Sequence, residues 1–210
     1  MIIKNIVVGP LEANCIIIAD EITNEALIVD PGDEPEKILD VINMNNFKVK
    51  FIICTHAHFD HVGALPELKK ETNAQIIIHR DELVIYQHSV EMALFWGYDL
   101  DPLPEPDILV EEDYNFSIGN LKFKVIHTPG HSPGGICIYG EEILITGDTL
   151  FAGSVGRTDI FGGDMEKLKL SFKRLMGLPD KVKVFPGHGP TTTIQHERIN
   201  NFLSNEKFDI

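Results

Sequence analysis

Thr55-His56-Ala57-His58-Phe59-Asp60-His61 follows directly on the run Val49-Lys50-Phe51-Ile52-Ile53-Cys54. The apolar run reads as a buried strand, and Thr55 to Gly63 as a His-rich loop after it. Three histidines and an aspartate fall within six positions. A strand end is a rigid launch point, and a loop lets neighbouring side chains turn toward one centre. Imidazole and carboxylate are the ligands that zinc, iron and manganese accept. No packing requirement accounts for three imidazoles at one strand end.

Three other segments share one character, a ligand-type side chain at a turn marked by glycine or proline after an apolar run. They are Thr128-Pro129-Gly130-His131, Thr146-Gly147-Asp148-Thr149 and Phe185-Pro186-Gly187-His188-Gly189-Pro190. Each alone is a weak signal, because a single histidine after a turn is usually a surface residue. Together with the first cluster they give seven candidate ligands: His56, His58, Asp60, His61, His131, Asp148 and His188. One catalytic zinc takes about three protein ligands and a water. Seven suit two divalent metals sharing a carboxylate and a water. Zinc is the first expectation, with iron or manganese as alternatives.

Outward from these motifs the chain reads as short Ile- and Val-rich strands over residues 2–8, 15–19, 26–29 and 49–54. Helices are expected from Pro35 to Asn45 and from Leu65 to Thr72, and a strand over 75–78. Asp30-Pro31-Gly32-Asp33 is a turn signal. Residues 81–106 start helical and end in Asp101-Pro102-Leu103-Pro104-Glu105-Pro106, a proline-stiffened excursion that is neither helix nor central strand. The second half repeats the style, with strands at 121–126, 136–139, 143–146 and 182–185. A helix is expected over 164–176 and a last one over 196–203. Two halves, each with strands and then helices, predict an α/β protein, two sheets face to face with helices outside, in one domain over 1–210.

The 210 residues carry 32 acidic against 18 basic side chains, a formal net charge of −14, which disfavours nucleic acid as a partner. No apolar run approaches a membrane span, and no secretory leader precedes the first strand, so no membrane partner and a cytoplasmic location are expected. Cys15, Cys54 and Cys137 each sit in apolar strand-like sequence and read as buried small hydrophobes. His79 and His127 read as core histidines, and His88 and His196 as surface residues. Thr55 and Thr149 read as hydrogen-bond partners of ligands.

His56-Ala57-His58-Phe59-Asp60-His61 resembles the HxHxDH signature of the metallo-β-lactamase superfamily. The stretches TPGHSPGG (128–135), TGDTLFAGSVGRTDIFGGD (146–164) and FPGHGPTTTIQHER (185–198) extend the resemblance over nearly the whole chain, and toward the glyoxalase II branch. The resemblance implies a four-layer αββα sandwich. It also implies that His56, His58 and His131 hold one metal, that Asp60, His61 and His188 hold a second, and that Asp148 bridges them. Glyoxalase II carries a C-terminal helical region that grips glutathione. This chain stops at Ile210, so the thiol carrier stays open.

The expected reaction is hydrolysis of a small-molecule thioester. Two metals would lower the pKa of a bridging water, the resulting hydroxide would attack the carbonyl, and a metal would stabilise the oxyanion. A thiol of pKa about 8.5 leaves as thiolate without a dedicated acid. Asp60 and Asp148 are the expected catalytic carboxylates, Asp60 also orienting the nucleophile. Arg157 is expected to pair with Asp159, with substrate contact as the lesser role. Tyr86, Phe95, Trp96 and Tyr98 are expected either to overhang the cleft and select the acyl group or simply to cover a sheet face. The Gly156-Arg157-Thr158-Asp159 element also occurs in persulfide dioxygenases, so a mononuclear iron sulfur oxygenase is the alternative. A nuclease is a more distant one.

Overall fold

The computed structural model describes residues 1–205. The first sheet runs in sequence order: β1 (Ile2–Val8), β2 (Ala13–Ala19), β3 (Glu25–Val29), β4 (Lys48–Ile53), β5 (Gln75–His79) and β6 (Ile108–Val110). Its first three strands form an antiparallel meander, and β3 to β6 run parallel. The parallel connections carry helices: α1 (Pro35–Met44), α2 (Phe59–Val62) and α3 (Leu65–Thr72), then α4 (Leu83–Phe95) between β5 and β6.

The second sheet contains β7 (Asn115–Ile118), β8 (Leu121–His127), β9 (Ile136–Gly140) and β10 (Ile143–Gly147) as a meander. After the small hairpin of β11 (Leu150–Phe151) and β12 (Ser154–Val155) comes α5 (Met165–Leu175). Then β13 (Lys183–Pro186) pairs parallel to β10, and β14 (Thr192–Thr193) forms the edge before α6 (Ile194–Asn200).

Alternation along the strands builds three stacked cores. Ile16 and Ile18 of β2 face the second sheet with Ile53, Ile77, Val125, Ile138 and Ile145. Their neighbours Cys15 and Ile17 turn the other way, onto Ile38 of α1, Leu65 and Leu68 of α3 and Ile85 of α4. Cys137, Leu144 and Val184 point outward from the second sheet onto Leu168, Phe172 and Leu175 of α5. Strands buried on both faces read as continuous apolar runs, which is why their sequences show no polar alternation. The order is helix, sheet, sheet, helix, the four-layer sandwich expected.

Several details differ from the sequence reading. Residues 59–62 form a helical turn rather than plain loop. The strands β6, β7, β11, β12 and β14 are too short or too polar to announce themselves. The last helix starts two residues earlier than expected, at Ile194, because the Thr193 hydroxyl caps it by accepting from the His196 N–H at 3.2 Å. It ends at Asn200 and continues as a 3-10 turn over Phe202–Asn205. The cysteines are all buried and free, as expected.

Candidate metal centre

The seven ligand-type side chains converge on one edge of the sandwich. His56 and His58 leave the end of β4, and Asp60 and His61 lie in α2. His131 follows β8, Asp148 follows β10 and His188 follows β13. β8, β10 and β13 point the same way within the second sheet, and their C-terminal ends meet the end of β4 there. Glycine makes the approach possible. Gly147 holds φ +47°, and a Cβ there would lie 2.1 Å from Thr55 Oγ1. A Cβ on Gly187 would lie 2.2 Å from Asp148 Oδ1.

Two groups of ligand atoms form. One nitrogen each of His56, His58 and His131 lie mutually within 4.8 Å, as do one atom each of Asp60, His61 and His188. Asp148 stands between them. Its Oδ1 is 3.4 Å from His61 Nε2, and its Oδ2 is 3.6 Å from His131 Nε2 and 3.7 Å from His188 Nε2. Asp60 Oδ2 lies 3.3 Å from His188 Nε2.

The hydrogen bonds around the rings decide which nitrogens are free. The Thr55 hydroxyl donates to Asp30 Oδ2 at 2.6 Å, so its oxygen accepts from His56 Nδ1–H at 3.0 Å. That assigns the tautomer and leaves His56 Nε2 a lone pair. His131 Nδ1–H donates to the Arg157 carbonyl at 2.8 Å, which frees Nε2 in the same way. His131 Nε2 then faces His58 Nδ1 at 2.9 Å. Buried atoms without any hydrogen-bond partner include His56 Nε2 and Asp148 Oδ1. Such atoms are costly to bury, and here they cluster. A cation about 2.0 Å from each imidazole nitrogen satisfies the first group, so the donor set fits the metals that the residue types suggest.

Electrostatics separates the two groups. Burial, followed by the neighbouring histidines, pushes His56 well below its ordinary value. Burial and His131 bring His58 down to about 3. Burial also lowers His131 despite Asp148. The first group is thus three neutral imidazoles, ready as ligands. In the second group burial opposes charge on His61, but Asp148, Asp60 and Asp30 outweigh it and raise the ring to about 10. His188 is raised as well, its hydrogen bond to Asp60 and the Asp148 charge overcoming burial. Burial works to raise Asp60, yet His61 and His188 hold its carboxyl well below the usual range.

The wall of this pocket, about 410 Å³, includes Leu11, Phe59, Met92, Trp96, Tyr98, Arg157 and Ile160. Tyr98 stacks on Phe59 with ring centroids 4.9 Å apart. Arg157 reaches the wall and forms the expected pair with Asp159, through two bonds of 2.7 and 2.9 Å. Tyr86 is a correction. It is 5% exposed within the core, and its hydroxyl donates to the Pro104 carbonyl at 2.6 Å, so it pins the proline segment and does not overhang the cleft. Phe95 lines an adjacent groove instead of the metal pocket. Thr149 bonds Thr128 at 3.0 Å, one step removed from the ligands. His79 and His127 stack on each other with centroids 4.0 Å apart, and His127 Nε2–H donates to the Pro133 carbonyl.

Two carboxylates escaped the sequence reading. Asp30, read only as part of a turn, is buried and accepts from both the N–H and the hydroxyl of Thr55. Its Oδ2 also lies 3.1 Å from His61 Nδ1, close enough to orient the ring although the angle is poor for a hydrogen bond. Glu82 is buried and accepts from Ala57 N–H (3.0 Å), Ser132 Oγ–H (2.9 Å) and Gly134 N–H (2.7 Å). It clasps the loop bearing His56 and His58 to the loop bearing His131. The signal for Asp30 was its place at the end of an apolar strand. Glu82 offered no signal, since a lone glutamate entering a helix is usually solvated.

A sequence profile of the metallo-β-lactamase superfamily matches residues 8–188, and the chain belongs to that superfamily of metal-dependent hydrolases. A Bacillus subtilis relative, described as the probable metallo-hydrolase YqgX, is 36% identical over 92% of this chain and 93% of its own length. A Haemophilus influenzae relative, described as hydroxyacylglutathione hydrolase GloC, is 33% identical over 99% of this chain and 100% of its own. Among solved structures, the BLEG-1 B3 metallo-β-lactamase superposes with a TM-score of 0.90 at 32% identity, covering 98% of this chain and 100% of that one. TTHA1623 in a di-iron-bound form gives 0.88 at 37% identity, covering 95% and 98%.

Proposed function

We propose that the protein is a binuclear metal thioesterase of the glyoxalase II type. The observation that carries this is the pair of ligand groups joined by Asp148 at the floor of one pocket. The likeness to a hydroxyacylglutathione hydrolase supports the reaction class, and the di-iron relative supports two metals. His56, His58 and His131 would hold one metal, and Asp60, His61 and His188 the other, with Asp148 between. When bound, two divalent cations make hydroxide available near neutral pH and stabilise the oxyanion that forms at the carbonyl. Zinc is the first choice, with iron or manganese accepted by the same residue types.

The chain's own groups do the rest. Asp60, ionised at neutral pH, accepts a hydrogen bond and orients the attacking oxygen. Arg157 and Asp159 lock the segment whose carbonyl fixes His131. Among the described residues the only carboxyls on the pocket wall are Asp60 and Asp148, both within the ligand set. A leaving nitrogen would lack a separate carboxylic acid there, whereas a thiolate needs none. No cysteine acts as nucleophile, because burial raises all three thiols and keeps them protonated.

The test is metal content of the purified protein by elemental analysis, paired with S-D-lactoylglutathione hydrolysis on the same sample. About two metals per chain with turnover is the expected result. One iron per chain without turnover would refute the reading and favour the persulfide-dioxygenase-like alternative.

A further inference from the structure

The metal pocket has two exits. Past Leu11, Phe59 and Tyr98 it opens into a cleft of about 340 Å³ edged by the carboxylates Asp33, Glu67, Asp99 and Asp101. Along another part of its wall it shares Met92, Trp96 and Ile160 with a groove of about 560 Å³. His88 and Glu91 are the only polar side chains on the walls of that groove among the described residues. Its rim is aromatic, with Phe95, Trp96 and Phe161 at 85%, 56% and 67% exposure. α4 is apolar on nearly every side, yet only Ile85, Tyr86, Ser89 and Ala93 are buried. Large apolar side chains gathered in one exposed patch mark a surface that something else covers.

We propose that this groove receives an apolar acyl arm of the thioester, with the scissile carbonyl over the metal centre and the polar thiol carrier toward the acidic exit. The proposal rests on the thioesterase reading and adds to it a preference, among thioesters, for acyl groups that extend several methylenes beyond the carbonyl. Adjacency selects this occupant: Met92, Trp96 and Ile160 line both the metal pocket and the groove, so the groove begins where the metal pocket's wall ends. The other exit, edged by four carboxylates, is the more polar of the two and suits a solvated carrier. Ile160 and Phe161 follow Arg157 and Asp159 directly, so the wall of the groove is anchored to the segment that fixes His131.

Full burial of one methylene is worth roughly fourfold in binding, and an open groove that covers half of it roughly twofold. From acetyl to octanoyl, six added methylenes then raise kcat/KM on the order of fifty-fold. The experiment measures kcat/KM of the metal-loaded protein on N-acetylcysteamine thioesters from acetyl to octanoyl. It is repeated with F95A/F161A, in which the octanoyl-to-acetyl ratio falls below about fivefold once two of the three rim rings are gone. A flat or falling series in the wild type overturns the proposal, as does a ratio unchanged in the double variant. A series that instead follows the length of the thiol's alkyl chain, with acetyl fixed, also overturns it.

Trp96 is the only tryptophan, so its fluorescence reads the groove without any turnover. Octan-1-ol should shift and saturate that emission in the wild type and not in F95A/F161A. Absence of turnover on every thioester refutes the thioesterase reading, and the titration then decides the groove alone: no saturable shift overturns it. Emission that changes on dilution of the protein by itself would place a second copy of the chain on the groove, and overturns it too.

Discussion

Replacing Thr55 by valine tests how the fold prepares its ligands. Valine matches threonine in shape, so the tight contact with Gly147 is kept while the hydroxyl is lost. In the wild type that oxygen passes its proton to Asp30 and accepts the proton of His56 Nδ1. In T55V the Nδ1–H of a metal-bound His56 has no acceptor in a buried site. A buried unsatisfied donor costs about 1–3 kcal/mol. The metal-free protein escapes part of that cost, because a neutral ring whose pKa is pushed down can move its proton to Nε2, on the side of the His58 and His131 nitrogens. The metal-bound protein has no such escape, since Nε2 is the ligand atom. The difference falls on metal affinity and amounts to roughly 10- to 100-fold at one site, the range seen when outer partners of ligating histidines are removed. Competition with a chromophoric chelator at pH 7.5 measures it. One of two sites should weaken by that factor, the other should stay within about threefold, and T55S should restore wild-type affinity. If T55V bound both metals as tightly as the wild type, the tautomer argument would be wrong.

Three further outcomes are expected. Asp60→Ala should remove most thioester turnover, more than 100-fold in kcat, while the circular dichroism spectrum is retained; near wild-type activity would remove Asp60 from the mechanism. Glu82, which burial raises to about 7 against three favourable hydrogen bonds, holds more proton folded than unfolded between pH 4.5 and 7. Its contribution to stability is therefore complete below about pH 4.5 and lost as pH rises through 7, by about 3 kcal/mol. Urea melts of wild type and E82Q across pH 5–8 should diverge by that amount, and parallel profiles would contradict the shift. Finally, iodoacetamide at pH 8 should label none of the three buried cysteines in the native protein and all three in urea, as counted by mass spectrometry; fast native labelling would mean the sheets open more readily than their packing implies.

The candidate ligands and the architecture were largely legible in the chain. The His56–His61 cluster after an apolar run, and the glycine-marked turns before His131, Asp148 and His188, are local patterns whose chemistry has few other uses. The buried strands were legible because strands covered on both faces must be apolar throughout. Tertiary structure decided what depends on who meets whom. Asp30 became an orienting carboxylate only because β3 lies beside β4, and Glu82 a clasp only because two loops far apart in the chain close on it. Tyr86 lies in the first turn of α4 and Trp96 just past its last, and a helix apolar on nearly every side does not announce which face is buried. Packing sent one hydroxyl to Pro104 and left the other ring on the pocket wall, because the face a helix buries is set by the sheet beneath it and by the proline segment that returns over it.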